Sequence, residues 1–346
     1  MNQVLSKSIT RIAAGCLLGA LSAHYAAAQS NIVNQINAAM FQTYHQHLAV
    51  ATGDNRGFTK KPNPLIARTP VAQHNVVRDY LFTTFSSLGL TTKLDPFSFT
   101  TDFGGPSYEY AGCNNVIATI PGKNPATYGY YIVGANYDSL DAGQPKPINL
   151  AQVAPRSPGA DMNASGVAAL LCLANVLRTN EFLSTIVFVA FDASQKNYAG
   201  PTRFVKHATT LSVTATNRIL RSRIKGMISI DTIAFNKKNN GYLNTVLLYG
   251  GNPAVGKLRN KLGGAIIRYG GLTVLQGGSI ESSDHVPFWE AGIDSCSVHE
   301  GGVWVNRNTY TTNDTASATG YLDYNFAAKI TRGVAGFLCE RAGLQP

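Results

Sequence analysis

Apolar runs that end in polar clusters dominate the hydrophobic pattern of this chain. "YGYYIVGANYDS", "STIVFVAFDAS", "GMISIDTIAF" and "NTVLLYG" each contain an apolar run, which is typical of a strand buried on both faces of a sheet. "CNNVIATIPG" and "IDSCSVHEGG" predict two further strands. Helical segments lie between them, so the chain predicts an α/β three-layer sandwich with a central, largely parallel mixed sheet.

Four segments have helical periodicity. Residues 71–90 place Val76, Val77, Tyr80, Leu81, Phe85 and Leu88 on one predicted face, with Gly89 as the C-terminal stop. "NASGVAALLCLANVLRTN" predicts a buried helix, and "DYNFAAKITRGVAGFLCERAG" predicts a terminal amphipathic one. "DHVPFWEAG" predicts a short helix that Ser283 or Asp284 can cap.

Three of the apolar strands end in polar side chains. These ends are "GANYDS", "AFDASQ" and "SIDTIA". Ligands of α/β sheets gather beyond the carboxyl ends of the central strands. We therefore expect the three polar ends to meet in one cleft.

The N-terminus has the features of a secretory signal. Lys7 and Arg11 precede the apolar stretch 12–23, which is too short to span a bilayer, and Ala26 to Ala28 offer small residues for cleavage before Gln29. We expect a signal peptide over 1–28, a single domain over 29–346, and a secreted or periplasmic protein. No apolar run in 29–346 is long enough to predict a transmembrane segment.

The composition is that of a basic globular protein. The 346 residues are 45% hydrophobic and 14% charged, with 29 Lys and Arg against 19 Asp and Glu. The cations are scattered and lack interleaved aromatic residues, which argues against nucleic-acid binding. Four cysteines follow the signal, and their pairing cannot be read from the sequence, although the buried helix predicts a free thiol at Cys172; they are Cys113, Cys172, Cys296 and Cys339.

A series of motifs then points to a family. The order "VGANYDS … SPGADMNASGVAAL … TIVFVAFDASQ … SIDTIAF … SSDHVPFWEAGI … NTYTTNDT" resembles the secreted two-zinc aminopeptidases, whose zinc exopeptidase fold is shared with glutamate carboxypeptidase and glutaminyl cyclase. The resemblance covers roughly residues 65–340. It implies a hydrolase in which two Zn²⁺ ions activate a bridging water and a Glu serves as general base.

This chain departs from the family pattern at the positions that carry the chemistry. The family's first His, bridging Asp, Glu, strand-end Asp and last His are the metal ligands, and another Glu is the general base. By resemblance, the general-base-equivalent position is Ser194. The ligand-equivalent positions are Asn136, Met162, Gln195, Asp231 and Tyr310.

Only Asp231 keeps the residue type that the family uses. The amide of Asn136 is a weak zinc ligand, and the neutral thioether of Met162 cannot bridge two dications. Tyr310 would have to lose a proton whose ordinary pKa is about 10. Three of the substitutions replace a carboxylate, which avoids the repulsion that the original acids would suffer without metals. The sequence therefore predicts no metal cofactor, with zinc expected only if an atypical site exists.

Nine residues are candidates to line the cleft. They are Asn136, Asp138, Asp161, Met162, Ser194, Gln195, Asp231, His285 and Tyr310. A relocated metal site would need other ligands, for which His285, His299 and Glu300 are the candidates. Ser194 would be a nucleophile only with a His beside it that an acid orients.

These observations predict an exported, aminopeptidase-like protein without peptidase activity, which acts by binding or assembly. Its partner would be a peptide, an envelope polymer or further copies of itself. One alternative is an active metallo-aminopeptidase with an atypical metal site. Another is a structural subunit of a surface layer or filament.

Overall fold

A computed structural model describes residues 26–49, 70, 72–102, 107–139, 157–209, 221–238, 241–250, 257–279 and 282–345. Residues 1–25, most of the expected signal peptide, lie outside the described residues, so its cleavage stays a prediction. Residues 26–28 are exposed and begin a helical stretch over 26–33. Within the described ranges, no helix combines the length and the apolar character needed to cross a bilayer.

A mixed sheet forms the centre of the fold. Within the described residues it has eight strands: β1 (Thr91–Thr101), β2 (Tyr108–Ile120), β3 (Tyr130–Asn136), β4 (Thr185–Phe191), β5 (Ile224–Ile230), β6 (Thr245–Gly250), β7 (Thr273–Gln276) and β8 (Ser295–Glu300). Their order is β1-β2-β4-β3-β5-β8-β6-β7. The central strands β4, β3, β5 and β8 are parallel, whereas β1 and β2 pair antiparallel and β6 is antiparallel to β8. This confirms the predicted largely parallel mixed sheet.

Helices cover both faces of the sheet. They are α1 (Ala38–Leu48), α2 (Ala72–Ser87), α3 (Pro125–Tyr128), α4 (Ala164–Leu177), α5 (Ala199–Thr209), α6 (Lys257–Ala265), α7 (Val286–Glu290) and α8 (Tyr324–Arg341). The apolar faces of α1, α2, α4, α6 and α8 share one large core on one side. On the other side, Phe204 of α5 and Phe288 of α7 pack on Phe191 of β4. The predicted three-layer sandwich is therefore correct.

Helix α4 is the central helix of the larger layer. Every residue of α4 except Asn175 is buried, as its unbroken apolar sequence predicts. Cys172 is one of these buried residues and carries a free thiol, which confirms that prediction. The other three cysteines of the described chain are also free and buried.

Two details of the predicted helices are wrong. Val76 is 56% exposed, because the buried face of α2 consists of His74, Val77, Leu81 and Phe85 at spacings of three and four, and the next position round the helix points to solvent.

The second error concerns the cap of α7. His285 precedes this helix without a side-chain cap bond. Ser283 instead contacts the hydroxyl of Ser229 at 2.9 Å, and Asp284 accepts a hydrogen bond from Ser194. Pro287 in the first turn lacks an N–H, so this helix end has fewer donors to satisfy.

Asn163 joins the start of α4 to the sheet. As the N-cap residue, its Oδ1 accepts hydrogen bonds from the backbone N–H groups of Gly166 (3.1 Å) and Thr232 (3.0 Å). Its Nδ2 donates to the carbonyl of Ile230 (2.8 Å) and to Oδ1 of Asn136 (3.0 Å). One fully buried amide thus fixes α4 relative to the ends of β3 and β5.

We predict that Asn163→Ala lowers the free energy of unfolding by about 3 kcal/mol or more, because it leaves several buried polar groups without partners. Asn124→Ala is a matched control, since Asn124 caps the exposed helix α3 through a single bond to Thr127. That change should cost about 1 kcal/mol. Urea unfolding of both variants measures the difference, and equal losses would contradict the role given to Asn163.

Candidate functional site

The polar ends of three adjacent strands lie side by side. β3 ends at Asn136, which is paired with Phe191 at the end of β4, and β5 on the other side of β3 is followed by Asp231. Ser194 and Gln195 follow β4 in the turn after Ala193. The parallel direction of these strands places their carboxyl ends at one edge of the sheet, as predicted.

Asp138 holds two of these strand ends together. Its Oδ1 accepts a hydrogen bond from the backbone N–H of Ser194 (3.0 Å), and its Oδ2 accepts one from Gln195 (2.9 Å). The side-chain amide of Asn136 donates to the carbonyl of Asp138 at 3.0 Å. Burial, with the charge of Asp192, raises the pKa of Asp138 to about 7. Asp138 therefore fixes the backbone of the turn that carries Ser194 and Gln195.

The side chain of Ser194 is bonded to an acid. Its hydroxyl donates to Oδ1 of Asp284, a residue that is 1% exposed. Burial raises the pKa of Asp284 well above its ordinary value, and the nearby charges of Asp231 and Asp138 act in the same direction, against the hydrogen bond from Ser194. Three acids, Asp138, Asp231 and Asp284, therefore lie close together in the part of the cleft that contains Ser194.

Thr232 connects Met162 with Asp231. Its hydroxyl lies 2.8 Å from the sulfur of Met162 and 2.8 Å from Oδ1 of Asp231, so it can donate to either. Tyr310, at φ 61°, is half-buried in the loop before α8. Burial raises the pKa of Tyr310 well above 10, and Asp231 adds to the shift. The phenol therefore stays protonated at neutral pH.

Asp161 belongs to a separate buried network. Its Oδ1 accepts from the backbone N–H of Ala234 (2.9 Å) and its Oδ2 from the amide of Asn306 (2.9 Å). The same amide donates to Glu300 at 2.9 Å. The carboxylate of Asp314 accepts from the backbone N–H of Asp161 at 2.7 Å. The hydrogen bonds of Asp161 thus join it to the backbone after β5 and to the loop 301–321.

The two candidate histidines are buried. His285 is fully buried, and its burial together with nearby His299 lowers its pKa to about 3. His299 contacts the hydroxyl of Ser297 at 3.0 Å, and burial lowers its pKa too. Glu300 lies in the Asp161 network. Across the described ranges, no three His, Cys, Asp or Glu side chains are grouped as a metal site requires.

Three residues that organise this region do not stand out in the sequence. Asn163 and Asp314 lie within the motifs that resemble the family, and Asp284 is predicted only as a helix cap. Each acts through contacts between segments far apart in the chain: Asp284 with Ser194, and Asp314 with the backbone of Asp161 and Met162. An Asp or Asn within a motif is the sequence feature that marks such a residue, but its hydrogen-bond partner cannot be read from local spacing.

Comparisons with known proteins define the class. Residues 115–337 match the model of Peptidase family M28, so the chain belongs to that family. Aminopeptidase YwaD of Bacillus subtilis (strain 168) is 31% identical over 183 residues, which are 53% of this chain and 34% of that relative. The chain therefore matches about a third of the length of this curated relative.

Two solved structures share the fold. BSAP, a zinc aminopeptidase from Bacillus subtilis, superposes with a TM-score of 0.66 at 15% identity, over 89% of this chain and 96% of that one. The glutaminyl cyclase of Macrostomum lignano gives a TM-score of 0.65 at 19% identity, over 92% and 93%. These likenesses confirm the aminopeptidase-like architecture that the motifs predicted.

We predict that stability falls between pH 6.5 and 8. Burial raises the pKa of Asp138 and of Asp314 to about 7, above the unfolded value of about 4, so the folded state holds protons that the unfolded state has lost. This stabilisation is complete below about pH 4 and is lost as the pH rises through about 7. The buried histidines His285 and His299, whose folded pKa values are lowered, oppose this fall near pH 6.5, but their effect fades above about pH 7, where unfolded histidines too are mostly neutral.

Thermal unfolding measured across this pH range tests the prediction. Glu300 is a further acid whose pKa is raised by burial. Glu300→Gln should therefore make the fall of the melting temperature with pH shallower, even if the variant is less stable throughout. A melting temperature that rises from pH 6.5 to 8 would be the opposite result.

Proposed function

We propose that this member of peptidase family M28 does not carry out two-metal peptide hydrolysis and acts as an exported binding protein through its strand-end cleft. One observation supports this most strongly: the residues at the five ligand-equivalent positions are an amide, a thioether, a second amide, a carboxylate and a phenol. Export rests on the predicted signal peptide.

This donor set does not fit zinc. Zinc in proteins is bound by thiolate, imidazole and carboxylate groups, and of the five side chains only Asp231 belongs to these classes. Two dications would then share one formal negative charge from these positions. Burial and the charge of Asp231 also favour the protonated form of Tyr310, which has no electron pair comparable to that of an imidazole.

Internal hydrogen bonds also engage two of the side chains at the ligand-equivalent positions. The carbonyl oxygen of Asn136 accepts from Asn163, and the sulfur of Met162 lies within bonding distance of Thr232. A ligand atom engaged in this way would have to give up its partner before it could coordinate a metal. Partners within the protein therefore hold these two side chains in place.

The general-base position does not offer an alternative catalyst. The hydroxyl of Ser194 donates a hydrogen bond to Asp284, and none of its hydrogen bonds within the described ranges joins it to an imidazole. A serine nucleophile needs such a base to accept its proton. We assign Ser194 to the lining of the cleft.

The chemistry of the cleft suits the end of a peptide better than an uncharged ligand. Asp231 provides an acceptor for an amine, while the amide of Gln195 can pair with a peptide backbone. An envelope polymer, or another copy of the chain, would be the partner if peptides do not bind.

We predict that the wild-type protein retains no stoichiometric zinc after dialysis, and that restoring the family's residues creates zinc affinity. The restored variant is N136H/M162D/S194E/Q195E/Y310H, and calorimetry should show zinc binding at least about 100-fold tighter than in the wild type. The control N136A/M162A/S194A/Q195A/Y310A changes the same positions without adding ligands and should gain nothing.

Two results would contradict the proposal. Stoichiometric zinc in the wild type, together with chelator-sensitive hydrolysis of aminoacyl anilides, would show an active metallo-aminopeptidase. No gain of affinity in a folded restored variant would show that the ligand-equivalent positions are assigned wrongly.

A further inference from the structure

The edge of the sheet opposite the cleft carries a cluster of exposed cations. Basic residues that are scattered along the sequence come together here, around the amino ends of β3 and β5. We call this the basal face and define it by six exposed residues: Arg221, Arg223, Lys225, Lys257, Lys261 and Arg341.

Two glycines show how closely the first three cations lie to the strand ends. A Cβ added at Gly129, just before β3, would meet the carbonyl of Arg223 and would lie 2.9 Å from the side chain of Lys225. A Cβ added at Gly292 would lie 3.8 Å from the guanidinium of Arg221. Gly292 belongs to the turn before β8, so this group spans the amino ends of three adjacent strands.

The other three cations converge on the same place. The carbonyl of Asp294 accepts from Met227 of β5 at 3.0 Å. Burial raises the pKa of Asp294, and the charges of Lys261 and Lys257 oppose that shift, so both lysines lie near it. Burial raises the pKa of Tyr131 at the start of β3, and the charge of Arg341, at the end of α8, opposes that shift, so Arg341 lies near Tyr131.

Few acids offset this charge. Within the described part of the chain, Asp294, Glu290 and Glu340 are the acids close in sequence to these cations, and Glu340 already pairs with Arg268. Nearby, Lys123 and Glu181 pair with each other at 2.7 Å and add no net charge. The acids Asp138, Asp231 and Asp284 all lie at the opposite, cleft edge of the sheet. Among these described groups, the positive charge therefore lies at the edge away from the cleft.

Aromatic side chains lie within the cationic surface. Tyr128 is 44% exposed, and Tyr130 beside it is half-buried at the start of β3. Tyrosine rings and long lysine side chains have an apolar part and a polar end, the combination that suits the boundary between lipid headgroups and acyl chains. A purely charged surface would give no reason to prefer a lipid over a soluble anion.

We propose that the basal face docks on a bilayer surface rich in anionic phospholipids, which leaves the cleft facing away from the membrane. Six cations and two exposed or half-buried tyrosines meet the headgroup phosphates without any spanning helix. The attraction acts over about 10 Å at an ionic strength of 0.1 M, so it weakens as salt is added. This docking does not depend on whether the cleft binds a peptide or a metal.

Vesicle sedimentation with the full-length mature protein tests this docking. Vesicles of equal parts phosphatidylglycerol and phosphatidylcholine should bind the protein at least about 100-fold more tightly than vesicles of phosphatidylcholine alone, and added salt should reverse the binding. The variant K225Q/K257Q/K261Q should lose about 100-fold in affinity for the anionic vesicles.

The matched control is K93Q/K237Q/K238Q, which removes the same charge from exposed lysines outside the basal face. It should lose less than about tenfold. Equal losses in the two variants, with both melting like the wild type, would show that net charge alone drives binding. Equal binding to the two kinds of vesicle, or binding to soluble polyphosphate but not to vesicles, would also overturn the proposal.

Discussion

Mutual hydrogen bonding among buried polar side chains is the constraint on which the cleft edge of this protein depends. Buried polar groups must find partners, and in a metalloenzyme the ions provide part of them. Here Asn163, Asp138 and Asp314 satisfy the backbone around the strand ends from within the protein. These hydrogen bonds hold the cleft edge through groups of the polypeptide itself.

The need to satisfy buried polar groups also explains why the residues at the altered positions are compatible with their neighbours. Met162 lies against the hydroxyl of Thr232, and Ser194 bonds to Asp284, where the family has carboxylates. An unpaired group of acids at this place would have been costly, because burial already raises the pKa values of Asp138 and Asp284. On the proposed function, the replacement of carboxylates and of the other ligand-equivalent residues is one electrostatic change.

Much of the fold could be predicted from the sequence, because the central strands are buried on both faces and α4 is apolar throughout. The outer strand β1 was missed, since "TTKLDPFSFTT" mixes exposed polar positions with a proline, and β7 is a short, largely exposed strand at the other edge. The five ligand-equivalent positions were assigned from flanking motifs. The partners of Asn163, Asp284 and Asp314 depend on long-range packing, which periodicity does not show. The clustering of cations on the basal face also depends on long-range packing, so the sequence does not predict it.

The central claim is that the cleft lacks the donors needed to hold a pair of dications. A zinc-edge anomalous-scattering map from crystals grown with excess zinc tests it most directly. The account predicts no anomalous peak between Asn136, Met162, Gln195, Asp231 and Tyr310. Two strong peaks within about 4 Å of each other at that place would contradict it.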